Sequence, residues 1–216
     1  MLLRMNASRS TQPERPTART KLIDAAHVLV RLQGYAATSV DQICTAAGVT
    51  KGAFFHHFPS KEDLGVAAAA QWTARAAPLF ELPPYTKLDD PLDRLIGHID
   101  MRMAMIEGPA EGFTCFVGTM AQETFASSEL LREASGASIA AYCEALAVDI
   151  QAAIDAHGIT DNITADSLAW HIQAVLQGAF VVAKASGDPK LAQASVRHLR
   201  RYILMLFNRL DVKERM

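Results

Sequence analysis

Residues 38–58 read TSVDQICTAAGVTKGAFFHHF and combine helix caps, a glycine turn and three phenylalanines within 21 residues. Thr38 or Ser39 can cap the start of a helix, because a hydroxyl oxygen accepts hydrogen bonds from the free N–H groups of a first turn. Asp41 or Gln42 follows three residues later, which is the spacing of a capping box. A helix is therefore predicted to open at this point.

A run of small residues follows this helix and predicts a sharp turn. Ala46 and Ala47 let two helices approach closely, and Gly48 can adopt the positive φ that such a turn requires. Val49 supplies an apolar plug, and Thr50 can cap a further helix. Two helices joined in this way form a helix-turn-helix.

The helix after this turn divides into an apolar side and an outward side. Phe54, Phe55 and Phe58 give it an apolar anchor, with the first and last expected in the core. The residues left to face outward are Thr50, Lys51, Gly52, Ala53 and His56. A metal pair at His56 and His57 is not expected, because adjacent helical side chains project about 100° apart. In a helix-turn-helix the second helix enters the major groove of DNA, so this outward side is the candidate reading surface.

Helical periodicity continues along most of the chain, and no segment alternates as a strand would. Gly34 ends a first helix and Pro59 ends the short one. Capping acids precede prolines at residues 90–91 and 188–189. The helices predicted beyond the helix-turn-helix cover residues 61–78, 91–106, 112–126, 128–156, 164–186 and 189–209. We therefore expect an all-α chain of nine helices.

Charge is distributed unevenly along the chain. Residues 1–61 hold eight Lys and Arg against three Asp and Glu, a net +5, whereas the whole chain carries −2. A basic head on an acidic body is expected to meet a polyanion such as nucleic acid. A solvated basic tail would give the same pattern, and charge alone does not choose between them. Residues 1–16, polar and with two prolines, are expected to be a disordered basic arm.

Cysteine content and hydropathy limit the class of protein. The three cysteines are odd in number and widely spaced, which argues against a disulfide framework. The sequence contains no run of 18 or more uncharged apolar residues, so no membrane span is predicted. The polar N-terminal residues also lack the pattern of a signal peptide. We expect a cytoplasmic protein without membrane contact.

Residues 34–64, GYAATSVDQICTAAGVTKGAFFHHFPSKEDL, resemble the DNA-binding signature of TetR/AcrR-type transcriptional repressors. The resemblance implies a dimer of nine-helix subunits, each with a three-helix DNA-binding head and a six-helix body that binds an inducer. We expect the head at residues 17–62 and the body at residues 63–216. The DNA-binding residues expected from the motif and the resemblance are Thr38, Ser39, Thr50, Lys51, Gly52, Ala53, Phe55, His56, His57 and Lys61. Two positions depart from the family pattern, since Phe55 stands where a tyrosine is usual and Cys44 where an alanine is usual.

Two apolar stretches near the C-terminus predict a dimer interface. GAFVVA at residues 178–183 and YILMLF at residues 202–207 surround the whole axis of a helix, and such a helix is buried on all sides. A second copy of the chain is the simplest covering. The last two helices are therefore expected to form a homodimer that reads near-palindromic double-stranded operator DNA. The alternative is that both stretches are internal core.

Soft and aromatic residues in the body predict an adaptable ligand cavity, although methionine at helical spacing is more often ordinary core. The candidate lining residues are Trp72, Met101, Met105, Phe113, Phe116, Met120, Tyr142, Trp170, Gln173 and Gln177. Cys115 lies in a segment that resembles a sixth helix of one branch of the family. It is either an inert packing residue or a thiol that senses oxidants or electrophiles.

These observations predict a ligand-responsive transcriptional regulator, a repressor that leaves its operator when a small apolar or aromatic inducer binds. Two alternatives stay open: a regulator that senses oxidants or electrophiles through Cys115, and a DNA-binding protein without an inducer. An enzyme is not expected, because no Gly-rich phosphate loop, spaced metal ligands or nucleophile elbow occurs. No cofactor and no metal is expected.

Overall fold

The computed structural model describes residues 16–159 and 163–210, and within these ranges the regular elements are all helical. The ten α-helices are α1 (Ala18–Gln33), α2 (Val40–Ala47), α3 (Lys51–His57), α4 (Lys61–Ala76), α5 (Pro91–Ala104), α6 (Ala110–Phe113), α7 (Phe116–Thr124), α8 (Glu129–His157), α9 (Ala165–Ser186) and α10 (Pro189–Leu206). Two short 3-10 helices, Ala77–Phe80 and Pro84–Lys87, connect α4 to α5. The predicted all-α class is confirmed. The expected arm at residues 1–16 lies, except for its last residue, outside the described residues.

The predicted helix-turn-helix is present, and its caps follow the sequence signals. Ser39 and Gln42 form a reciprocal capping box at the start of α2, with N–O distances of 3.2 and 2.8 Å. Gly48 has φ +64°, the left-handed conformation that a residue with a Cβ rarely adopts. The Thr50 hydroxyl accepts from Ala53 N at 3.2 Å and starts α3. The turn is therefore held by local hydrogen bonds and one glycine.

The helix expected at residues 112–126 is divided in two, so the count is ten rather than nine. α6 ends at Phe113, and the backbone of Thr114 and Cys115 is extended before α7 begins. The Thr114 hydroxyl donates to Ala110 O at 2.7 Å, while the Cys115 sulfur accepts from Gly118 N at 3.4 Å. These two side chains satisfy the helix ends that the break exposes.

The head is joined to the rest of the molecule through α1 and α4. α4 packs against both α1 and α8, and α1 also contacts α6 and α7. The approach of α4 to α8 is close at Gly65, where a Cβ would lie 2.7 Å from the Leu131 side chain. The first helix of the head is therefore in direct contact with the body.

Among the described helices, α8 alone is long and apolar enough to cross a membrane, judged by length and composition. An apolar helix in the interior of a helical protein meets the same criterion. In this fold α8 contacts α4, α5, α7 and α9, and it carries the buried serines Ser135 and Ser138. Only 28% of its most apolar stretch is buried among the described residues, so these contacts cover part of its apolar surface and not all of it.

Candidate nucleic-acid interface and ligand cavity

α3 turns two phenylalanines inward and most of its other side chains outward. Phe54 and Phe58 are buried against α1 and α2, as expected. Of the ten expected DNA-binding residues, six are exposed: Ser39, Thr50, Lys51, Gly52, Phe55 and His56. Ala53 and His57 are half-buried at the edge of this surface. The exposed residues of this surface thus come from the start of α2, the turn and α3.

Lys51, the cation at the first position of α3, forms a salt bridge with Asp41 of α2. The Nζ–Oδ1 distance is 2.9 Å and both side chains are exposed, so solvent screens the pair. This hydrogen bond raises the pKa of Lys51, which stays cationic at neutral pH. A phosphate that approaches Lys51 would compete with Asp41 for it.

Thr38 and Lys61 are located differently from the other expected DNA-binding residues. Thr38 is buried, and its hydroxyl donates to Gly34 O at 2.6 Å. The Lys61 ammonium donates to Tyr35 O and Thr38 O, each at 3.0 Å, and lies 4.2 Å from the centre of the Tyr35 ring. Both side chains therefore bind the loop between α1 and α2, and two of the three N–H donors of Lys61 are used there.

A cavity of about 210 Å³ lies between the head and the body. Its lining residues come from helices α1, α4, α5, α6, α7, α8 and α9 and from the segments next to them: Arg31, Trp72, Arg75, Ala76, Leu79, Arg102, Met105, Gly112, Phe113, Cys115, Val117, Ser138, Ile139, Tyr142, Gln173, Gln177 and Phe180. Most of these are apolar or aromatic, as is usual for a small-molecule site.

The cavity contains six of the ten residues expected to bind a ligand: Trp72, Met105, Phe113, Tyr142, Gln173 and Gln177. Phe116 and Met120 instead have fully buried side chains in the core, and Met101 does not reach the cavity wall. Trp170 is half exposed on the outer side of α9. Helical periodicity predicts which side of a helix a residue occupies, but not which neighbouring helix or cavity that side contacts. The sequence therefore could not distinguish the six residues in the cavity from the four outside it.

Three cavity residues that the sequence did not single out are the arginines Arg31, Arg75 and Arg102. Arg31 comes from α1, the first helix of the head. Its guanidinium donates to Gly112 O at 3.3 Å and lies 5.1 Å from the centre of the Trp72 ring. The sequence offered one signal, the spacing to predicted cavity residues. Arg75 lies three residues after Trp72, and Arg102 lies three residues before Met105, so each pair shares one side of a helix.

Arg75 forms a hydrogen-bonded group with His27 and Asp24 of α1, in which His27 is buried and the other two side chains are nearly half exposed. Its guanidinium donates to His27 Nδ1 at 3.0 Å and to the Asp24 carboxylate. His27 Nε2 therefore carries the proton and donates to Ala68 O at 2.8 Å. Burial, together with a smaller effect of the nearby Arg75 and Arg31, lowers the pKa of His27 to about 4, so this imidazole is neutral at pH 7.

Tyr142 lines the cavity, and its hydroxyl already donates a hydrogen bond within the protein. Tyr85 donates to Leu79 O, so its oxygen accepts from His98 Nδ1 at 2.9 Å. His98 Nε2 is then the acceptor for the Tyr142 hydroxyl at 2.6 Å. Burial lowers the pKa of His98 to about 3 and keeps it neutral. Tyr142 thus supplies an aromatic wall but no free donor.

Cys115 lines this cavity and an adjoining depression that also includes Gln177 and Phe180. Arg31 and Lys184 lie close enough to interact electrostatically with the thiol, although neither is near it in sequence. Within residues 16–159 and 163–210, no three His, Cys, Asp or Glu side chains are close enough together to hold a metal ion.

Two family sequence models match the chain. The one described as "Bacterial regulatory proteins, tetR family" matches residues 22–68, and the one described as "Tetracyclin repressor-like, C-terminal domain" matches residues 91–199. The chain belongs to the TetR family. The resemblance found in residues 34–64 is therefore confirmed, and the second match extends the TetR assignment over most of the body.

Similar proteins include other regulators. The transcriptional regulator AcuR of Cereibacter sphaeroides is 33% identical over 124 residues, which are 56% of this chain and 56% of AcuR. The HTH-type regulator LmrA of Bacillus subtilis is 32% identical over 127 residues, 54% of this chain and 62% of LmrA. The chain thus spans little more than half the length of the curated relatives it matches.

Solved structures of TetR regulators share the fold over a larger part of the chain. One from Rhodobacter sphaeroides superposes with a TM-score of 0.74 and 27% identity, covering 85% of this chain and 97% of the other. One from Chloroflexus aurantiacus gives a TM-score of 0.73, also at 27% identity, over 86% and 93% of the two chains. The body therefore follows the TetR fold as well.

Proposed function

We propose that this TetR-family protein is a DNA-binding transcriptional repressor whose affinity for its operator is controlled by a small molecule bound in the cavity. The observation that carries this proposal is the position of Arg31, which belongs to the first helix of the head and lines the cavity. A molecule in the cavity would touch the head and the body at once. Its binding free energy would then depend on how the two are arranged.

DNA binding is assigned to the exposed surface of α3 and the start of α2. Small and polar residues there let the backbone approach the duplex, and Lys51 supplies positive charge. The head would extend over residues 17–62 and the body over residues 63–216, with α4 between the DNA-binding surface and the cavity. The protein would act in the cytoplasm, on double-stranded DNA.

A homodimer is assigned to α9 and α10. Their apolar stretches are only half covered within one chain, since Ile203 and Phe207 point inward while Val181, Val182 and Met205 are about half exposed. His171 of α9 contacts Tyr202 of α10, so the exposed sides of the two helices adjoin. A second copy with the same surface would cover them, and two α3 helices would then read half-sites about one DNA turn, or a multiple, apart.

The inducer would favour the arrangement of head and body in which the two recognition helices of the dimer no longer match the operator. Coupling of this kind typically amounts to about 1–3 kcal/mol and is reciprocal, so operator DNA would weaken inducer binding by the same factor. Arg31, with its contacts to α4 and α6, is the residue through which the cavity would act on α1.

Fluorescence anisotropy tests the proposal. The full-length protein is titrated into labelled DNA from directly upstream of its own coding sequence, at low salt, beside a scrambled fragment of equal length. We expect tighter binding to the native fragment and release when an inducer is added. If the anisotropy of no promoter fragment increased, even in dilute buffer, the DNA-binding assignment would be overturned.

Two other functions remain candidates, and the cavity bears on both. A DNA-binding protein without an inducer needs no cavity at the junction of head and body, so the cavity favours the inducer-responsive function. A thiol sensor is favoured only by the location of Cys115 in the cavity wall near Arg31 and Lys184. Release of DNA by hydrogen peroxide from the native protein, but not from Cys115→Ser, would support the sensor instead.

A further inference from the structure

The charged side chains of the cavity are all cationic. Arg31, Arg75 and Arg102 line it, and no Asp or Glu is among its lining residues. The remaining walls are mainly apolar or aromatic, with Phe113, Tyr142 and Phe180 from three different helices or their ends. A neutral apolar molecule would use these walls but would supply no acceptor to an arginine that lacks a partner within the protein.

The three arginines differ in how far they are already engaged. Arg75 is paired with Asp24 and His27, and Arg31 donates to two backbone carbonyls. Arg102 has neither kind of partner: its Nε is buried without a hydrogen bond, and within the described residues no carboxylate pairs with it. Its guanidinium carbon lies 5.7 Å from the centre of the Tyr142 ring. Arg102 is thus the guanidinium with unused donors.

A second unused donor lines the same cavity. Gln177 Nε2 is buried and has no hydrogen-bond partner. The Tyr142 hydroxyl donates to His98 and cannot serve a ligand as a donor. Among the polar atoms of the lining residues, the two that are buried without a hydrogen-bond partner are both donors, Arg102 Nε and Gln177 Nε2, and a buried donor without an acceptor is unfavourable. An anionic group bound between the apolar walls would satisfy them.

We propose that the ligand of this cavity is a small organic monocarboxylate, whose carboxylate binds Arg102 and whose apolar body packs against the aromatic walls. This inference rests on the proposed ligand-responsive function and specifies the inducer. A planar guanidinium binds a carboxylate through two parallel hydrogen bonds, which a neutral amide cannot reproduce. The cavity volume, about 210 Å³, is below the roughly 300–1,000 Å³ of typical drug-sized sites, so the acid is small.

Matched pairs of probes test the charge requirement. Benzoate, cinnamate and hexanoate are each compared with their primary amides by isothermal titration calorimetry on the full-length protein. We expect at least one acid of the series to bind, and to bind about tenfold more tightly than its amide, because a charge-assisted pair replaces a neutral one. Amides that bind as tightly as the acids, or a series in which no acid binds at millimolar concentration, would overturn the inference.

Variants of Arg102 test the assigned residue. Arg102→Gln is expected to reduce the affinity for the acid about tenfold and to leave that for the amide unchanged, which also shows that the cavity remains intact. Arg102→Lys keeps the charge without the planar fork and should retain part of the preference. Arg132→Gln, an exposed arginine on α8, is the matched control and should change neither affinity. A full preference for the acid in Arg102→Gln would exclude this residue as the anion site.

DNA release is measured separately and distinguishes the two proposals. An acid that binds through Arg102 without releasing operator DNA would support the anion site and contradict the inducer function. An amide that binds better than its acid and releases DNA would support the inducer function and contradict the anion site.

Discussion

Glu123 of α7 accepts a hydrogen bond from the backbone N of Ala36 at 2.7 Å, and so connects the body to the loop between α1 and α2. The same carboxylate is close to Gly34, where a Cβ would lie 2.2 Å from one of its oxygens. The loop it holds leads directly into the helix-turn-helix. Glu123 also lines the depression that adjoins the cavity through Cys115, Gln177 and Phe180. A residue next to the cavity therefore contacts the loop that leads into the helix-turn-helix.

Glu123→Gln should loosen this connection. The neutral amide accepts a weaker hydrogen bond than the carboxylate, so we expect operator affinity to fall by several-fold, corresponding to about 1 kcal/mol. Anisotropy titrations measure this directly. Glu133→Gln, an exposed acid on α8, is the control and should bind DNA like the native protein. Equal affinities for native and Glu123→Gln would mean that the contact does not position the head.

Lys61 and Lys51 should separate structural from DNA-contacting cations. Lys61→Ala removes the hydrogen bonds to Tyr35 O and Thr38 O, and we expect the free energy of unfolding to fall by about 1–2 kcal/mol. Lys51→Ala removes an exposed cation, and we expect little change in stability but a salt dependence of DNA binding that is less steep by about one unit. Urea unfolding and anisotropy at several salt concentrations measure the two effects. If Lys61→Ala changed the salt dependence and Lys51→Ala changed the stability, Lys61 would be the DNA-contacting cation and Lys51 the structural one.

The local signals of the head were readable in the sequence because they act over three or four residues. Ser39 with Gln42, the glycine at 48 and Thr50 each occupy the predicted position, since caps and turns depend on neighbours along the chain. The location of Lys61 depends on carbonyls more than twenty residues away. Nothing in the spacing of the motif distinguishes a lysine that binds a loop from one that binds phosphate.

The cavity was predictable in composition but not in charge. Aromatic and methionine residues of the body indicated a soft pocket, and six of the ten chosen residues line it. The arginines were not chosen, because a lone arginine on a helix is usually solvated. Arg31, Arg75 and Arg102 belong to three helices, and only the packing of α1 and α5 against α4 and α8 brings them to one cavity. Long-range packing of this kind leaves no periodic signal.

Stability should depend on pH through His27. Its pKa is about 4 in the folded protein and about 6.5 when unfolded, so between these values the unfolded chain binds the extra proton. The stabilisation linked to neutral His27 is therefore complete above pH 6.5. As the pH decreases toward 4, the free energy of unfolding falls by up to about 3 kcal/mol. Urea titrations from pH 7.5 to 5 measure the slope. In His27→Gln, which keeps a donor for Ala68 O, this part of the slope should disappear; an unchanged slope would assign the pH dependence to other groups.

The exposed apolar side of α9 and α10 should determine whether the protein is a dimer. A carboxylate introduced there would be desolvated against its own copy across a two-fold interface, and such burial of an unpaired charge is strongly unfavourable. We expect Val181→Asp combined with Met205→Glu to run at the chain mass of 23.4 kDa in light scattering, and the native protein at twice that mass. Leu82→Glu, at a more exposed apolar residue in the segment between α4 and α5, is the control and should remain dimeric. The monomer should also lose operator affinity, because a single α3 reads only one half-site. A native protein that is monomeric at micromolar concentration would contradict the interface, as would a double variant that still dimerises.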